Sequence, residues 1–138
     1  MKRRDFIALG AATLLTTGVA GAAWAEPLDY TEGLAKAHLA KGKVVFLDFK
    51  ADWCSTCAAQ ERAISALMAE NPAYAEKITF INVDWDQYGR SDLVKELRIP
   101  RRSTLVALQG DAEIGRIVAD TKKSTIKALM DQALAAGS

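Results

Sequence analysis

Val44-Val45-Phe46-Leu47-Asp48-Phe49-Lys50-Ala51-Asp52-Trp53-Cys54-Ser55-Thr56-Cys57 is the stretch that decides the fold. Its first part, Val44 to Lys50, is a near-continuous apolar run, the pattern of a strand at the centre of a sheet covered on both faces. Ala58 to Glu70 reads as a helix that stops at Asn71-Pro72, because proline disfavours a helical conformation in the residue before it. Both cysteines of the chain lie at the junction, as Cys-x-x-Cys. That spacing at a strand-to-helix junction points to a reversible dithiol/disulfide. Cys54 falls at the helix start and Cys57 one turn further in. The first N–H groups of a helix are unpaired and carry the positive end of its dipole. A Cys54 thiolate is favoured there, with a pKa below the free value of about 8.5. The thiolate is the attacking species in disulfide exchange, so Cys54 is the expected nucleophile and Cys57 the resolving thiol.

Outward from this stretch, the pattern gives one small domain without repeats, low-complexity segments or internal linkers. Tyr30 to Ala40 reads as an amphipathic helix closed by Lys41-Gly42-Lys43. Ile78 to Val83 is a second buried strand and Asp84 to Gly89 a loop. Ser91 caps a short helix that runs to about Leu97. Thr104 to Leu108 and Glu113 to Val118 form a hairpin around Gln109-Gly110-Asp111. A closing helix starts at Thr121 or Ser124 and buries Ile126, Leu129, Met130 and Ala133. Strands interleaved with helices, then a hairpin, predict an α/β domain: a central mixed four-stranded sheet covered by helices on both faces.

The first 25 residues are expected to be an export signal. Lys2, Arg3 and Arg4 form a basic n-region, Phe6 to Ala23 is apolar, and Ala23-Trp24-Ala25 is a small-x-small cleavage site. Arg3-Arg4-Asp5-Phe6-Ile7 also matches the twin-arginine pattern. Cleavage after Ala25 leaves residues 26–138 as the mature domain and places it in the bacterial periplasm; a retained anchor is the other outcome. Those 113 residues hold 15 Lys and Arg against 16 Asp and Glu, a net charge of −1. That balance favours neither nucleic acid nor a membrane surface. A disulfide closing so small a loop stabilises the fold little, which argues against a purely structural role.

Phe46 to Cys54 resembles the strand that leads into the active site of thioredoxins, and the element order resembles their fold over nearly all of residues 26–138. The Ala51-Asp52-Trp53-Cys54 run is similar to the C-terminal, thioredoxin-like domain of DsbD-type thiol:disulfide interchange proteins. The resemblance puts Asp48 on the family's buried acid and Glu61 on an acid of the DsbD-type domain. It also implies a cis-proline facing the cysteines, just before a Thr-led strand, whose loop contacts the partner's backbone. Matching Thr104 to that strand puts Ser103 in the proline's place. Matching Pro100 instead would start a central strand with Arg101 and Arg102 and desolvate two charges. A cis bond before a non-proline residue costs about 3 kcal/mol, so the Arg102–Ser103 bond is expected to be trans. The resemblance thereby nominates Trp53, Arg102, Ser103 and Thr104 for substrate binding.

Each nominated residue also has a plainer structural explanation. Asp48 sits in an apolar strand, where burial raises a carboxyl pKa. It can then take the proton from Cys57, or simply face a water pocket. Glu61 is either an acid of the site or a solvated helix residue. Trp53 packs beside the cysteines. Trp85 suits rim packing. Arg101 and Arg102 either meet an acidic partner or remain solvated. His38, the only histidine, lies on a surface helix far from the cysteines in sequence, which argues against a Cys–His hydrolase. Ser55 and Thr56, between the cysteines, are neither the Gly-Pro of reducing thioredoxins nor the Pro-His of DsbA. The expected function is an exported thiol–disulfide oxidoreductase, a reductase or electron carrier. It needs no cofactor beyond its own cysteine pair, and works as a monomer on protein thiols and disulfides with a membrane electron donor. The competing function is a protein that binds a metal or iron–sulfur cluster through the same two thiolates, which suit soft metals but do not complete a tetrahedral zinc site.

Overall fold

The structure, a computed structural model, describes residues 26–138; the expected export signal and its cleavage site after Ala25 lie outside the described residues. Strands β1 (Leu28–Asp29), β2 (Val44–Lys50), β3 (Ile78–Asp84), β4 (Thr104–Gln109) and β5 (Ala112–Val118) form one sheet in the order β1-β3-β2-β4-β5. β2 pairs parallel to β3 and antiparallel to β4, which puts the strand leading to the cysteines at the centre. Helices α1 (Leu34–Ala40), α2 (Ser55–Glu70), α3 (Ala73–Lys77), α4 (Trp85–Tyr88), α5 (Asp92–Leu97) and α6 (Lys123–Ala136) complete the chain.

Side chains alternate across a strand, and β2 shows what this does to a run apolar on both faces. Val44 and Phe46 enter a core with Ile64 and Leu67 of α2 and Ile126 and Met130 of α6. Val45, Leu47 and Phe49 enter a second core with Ala35, Leu93, Val94 and Ile99. Burying Phe46 and Phe49 contributes roughly 1.5–3 kcal/mol each. Asp48 shares the parity of Val44 and Phe46, so the carboxyl is carried into the face that α2 covers.

The mixed sheet covered on both faces matches the expectation, but it has five strands rather than four. The fifth, β1, is two exposed residues after Pro27, paired parallel to β3 through Leu28 and Ile81. A strand that short carries no alternation to read. The first helix begins at Leu34 rather than Tyr30. Tyr30 is buried, its N–H donates to Asn82 O at 2.8 Å, and Gly33 at φ 83° turns the chain before the helix. The 84–89 segment contains a short helix, because the Asp84 side chain accepts from the Asp86 N–H at 3.0 Å and caps it. Ser91 does cap α5, through Val94 N–H. Lys122, rather than Thr121 or Ser124, precedes α6; it gives no side-chain cap.

Candidate functional site

Cys54 is the N-cap of α2, with φ −92° and ψ 110°, and its sulfur accepts from the Cys57 N–H at 3.2 Å. The backbone enters this position through the Cys54 N–H, which donates to Ala51 O at 3.1 Å. Cys54 and Cys57 form a disulfide with Cα atoms 5.3 Å apart. Both are buried, Cys54 at 4% exposure and Cys57 at 1%. Between them Ser55 is exposed. Ala51 and the edge of Trp85 pack against the cysteines.

The loop between α5 and β4 lies over the disulfide through Ser103. This residue is wholly buried, and its hydroxyl stands 3.2 Å from Cys54 Sγ and 3.1 Å from Cys57 Sγ. Pro100 is exposed and away from the sulfurs' contacts. No peptide bond among the described residues is cis, that before Ser103 included. Ser103 instead adopts a left-handed backbone at φ 62°, which for a residue with a Cβ costs of order 1–3 kcal/mol. Three bonds fix it there: its N–H donates to Phe49 O at 2.7 Å, and its carbonyl accepts from Ala119 N–H at 2.9 Å and Gln60 Nε2 at 2.9 Å. Gln60, one turn beyond Cys57, also donates to Asp120 O at 3.2 Å and is fully buried. Thr104 is buried too, its hydroxyl donating to Arg101 O at 2.7 Å.

Asp48 lies under α2 at 5% exposure, with Oδ1 unpartnered. Burial drives its pKa up to about 7; the Lys50 ammonium opposes the rise and the Glu61 carboxylate adds to it. Lys50 Nζ and Glu61 Oε2 are paired at 2.9 Å. Asp48, Glu61, Ile64, Met68 and Asn82 line a cleft of about 520 Å³ between the sheet edge and α2. Asp48 therefore faces this cleft together with Glu61, whose carboxylate is paired with Lys50.

Trp53 stands out from the surface at 60% exposure. Its Nε1 donates to both Asp86 carboxylate oxygens at 3.0 Å, and the Arg102 guanidinium lies 4.3 Å from its ring centre. The structure thus gathers Cys54, Cys57, Ser103, Trp53 and Arg102 at one end of the sheet, with Thr104 at the loop's exit and Asp48 and Glu61 on the flank. His38 is on α1, which supplies none of these residues. Gln60, Lys50 and Asp86 were not legible as site residues. Each reads as a solvated polar residue until the fold brings it to its partner, 43, 11 and 33 positions away.

The thioredoxin family model matches residues 28–132. A curated H-type thioredoxin of Fagopyrum esculentum is 30% identical over 94 residues, covering 68% of this chain and 75% of its own length. Among solved structures, Trxlp of Edwardsiella tarda is 28% identical with a TM-score of 0.62, over 75% of this chain and 95% of that one. The thioredoxin of Malassezia sympodialis shares the fold at 24% identity and a TM-score of 0.61, over 78% of this chain and 94% of that one.

Proposed function

The chain belongs to the thioredoxin family and is a thiol–disulfide oxidoreductase acting through Cys54 and Cys57 on protein thiols and disulfides; from that premise we propose that it is an exported, periplasmic reductase or electron carrier of the DsbD C-terminal-domain kind. The observation that carries this reading is Glu61, which lines the same cleft as Asp48, a buried carboxyl that desolvation pushes up to about 7. Glu61, with the Ala51-Asp52-Trp53-Cys54 run, is the DsbD-type feature, while Asp48 stands where the wider family has its buried acid. Export is supported by the basic n-region, the Arg3-Arg4 pair and the small-x-small site before Glu26. The physiological donor is then a membrane protein, and the working unit a monomer.

In the reducing direction the Cys54 thiolate attacks a partner disulfide. A Cys54–partner S–S bond forms, the partner's own S–S bond breaks, and its released thiolate takes a proton from solvent. Ionised Asp48 then serves as the general base that accepts the Cys57 proton. The Cys57 thiolate attacks Cys54 Sγ, the Cys54–Cys57 bond forms, and the second partner thiolate leaves. Trp53 and Arg102 line the approach to Cys54, with Arg102 offering a cation to the incoming chain. Ser103 and Thr104 are wholly buried and lie behind that approach rather than on it.

Trapping tests the reading. Cys57→Ala in the exported protein should accumulate mixed disulfides with periplasmic partners and with a membrane donor, and Arg3 and Arg4 replaced by Lys should abolish export. Partners found only in the cytoplasm would overturn it. The competing reading, a metal or cluster held by the Cys54 and Cys57 thiolates alone or between two chains, would be established by stoichiometric iron or zinc in the purified protein without insulin reduction.

A further inference from the structure

Two observations converge on one hydroxyl. Ser103 Oγ lies within hydrogen-bond distance of both sulfurs. In the disulfide neither sulfur carries a hydrogen, so the serine is the only possible donor in either contact. The backbone beneath it is left-handed at φ 62°. Glycine adopts that conformation freely, and Arg98 and Ala119 also adopt it here, so the turn itself does not require the serine hydroxyl. Both backbone polar groups of Ser103 are also engaged within the chain, by Phe49 O and by Gln60 and Ala119. The residue is thus closed to a partner's backbone, and its side chain is aimed at the reacting atoms.

We propose that Ser103 is a catalytic residue whose hydroxyl donates a hydrogen bond to whichever sulfur is negatively charged, first Cys54 and then Cys57, within one exchange cycle. A hydroxyl has one hydrogen and serves one thiolate at a time. Exchange needs no more, because the two charges arise in sequence. In the reduced protein the bond goes to the Cys54 thiolate and adds to the donation from Cys57 N–H. Once Cys54 is tied up in the mixed disulfide, its charge is gone. The hydroxyl then turns to Cys57 Sγ as that thiol gives up its proton to a base. No proton leaves Ser103 at any step. Gln60 is the positioning residue: by holding the Ser103 carbonyl it keeps the left-handed turn, and with it the hydroxyl between the sulfurs. The inference rests on the exchange activity alone and holds for either direction of electron flow and any compartment.

The test is a titration of single thiols in the full chain. Cys57→Ser leaves only Cys54, and Cys54→Ser only Cys57. In each background, Ser103→Gly removes the hydroxyl while keeping a backbone at ease with positive φ, and Ser103→Ala keeps the Cβ. A hydrogen bond to a charged group is strong enough to shift each thiol upward by about one pH unit, read from ultraviolet thiolate absorbance. At a pH below the pKa, the attack of Cys54 on a model disulfide should slow only about threefold, since the rarer thiolate is also the more nucleophilic. Gln60→Ala should move the same titrations in the same direction, by less. An effect on Cys54 alone would overturn the hand-over between sulfurs, and unshifted titrations in folded Ser103→Gly would overturn the proposal outright. Ser103→Gly decides if Ser103→Ala fails to fold.

Discussion

Asp48→Asn should make the protein more stable at alkaline pH and barely change it at acid pH. The Asp48 carboxyl has a pKa of about 7 in the folded chain against an ordinary 3.8. Between those values the folded state holds a proton that the unfolded chain has released. Stability contributed by the neutral acid is fully present below pH 4 and is lost as pH rises through 7. At 1.36 kcal/mol per pH unit, the gap corresponds to about 4 kcal/mol at most. Water entering the cleft screens part of it, leaving about 2–4 kcal/mol. Asn cannot ionise and escapes this cost. Urea unfolding of both proteins at pH 4.5 and at pH 8.5 isolates the effect as a double difference. Because pH 4.5 already lies inside the window, the variant should gain about 1.5–3 kcal/mol over the parent on going to the higher pH, or roughly 10 °C in melting temperature. Parallel stability curves for parent and variant across this range would refute the account, because they would mean that Asp48 is already ionised at acid pH. The same substitution should slow resolution of the mixed disulfide more than its formation, the proton acceptor for Cys57 being gone.

Other perturbations follow from the same geometry. Lys50→Met removes the cation that opposes the rise of the Asp48 pKa; the pH midpoint for resolution of the mixed disulfide should move upward, and a downward move would reverse the assigned sign. Ser103→Pro forces φ to about −65° where the chain stands at 62°, and deletes the N–H that bonds Phe49 O. It should cost about 3 kcal/mol or more in chemical denaturation, and an unchanged midpoint would show that the loop repacks freely. Trp53→Ala loses the Arg102 stacking and the bond to Asp86. It should cost at most about 1 kcal/mol of stability, while the KM for a protein disulfide rises; an unchanged KM would remove Trp53 from the docking surface.

What could be read from the sequence was local. The apolar run of β2, the Cys-x-x-Cys at its end and the Ser91 cap are patterns carried by neighbouring residues, and each appears where the pattern put it. The burial of Asp48 was legible for the same reason, since apolar residues on both sides commit its backbone to the sheet centre. β1 was not legible because two exposed residues have no periodicity. α4 depends on one cap made by Asp84. Gln60 lies on a helix, where glutamine usually meets water; it is buried only because the 101–103 loop and Asp120 fold over it. The left-handed turn of Ser103 is likewise set by three bonds from Phe49, Gln60 and Ala119, all distant in sequence. Sequence reasoning placed Ser103 opposite the cysteines, but it could not show that the side chain faces the sulfurs.

The measurement that tests the central claim most directly is identification of the attacking sulfur. The Cys57→Ser and Cys54→Ser variants, reduced and mixed with a disulfide-bonded model peptide at neutral pH, are quenched and mapped by mass spectrometry. With Cys54 at the helix N-cap, the Cys57→Ser variant should form a stoichiometric mixed disulfide on Cys54 rapidly, and the Cys54→Ser variant should react far more slowly. Faster adduct formation on Cys57, or none on either cysteine, would contradict the account.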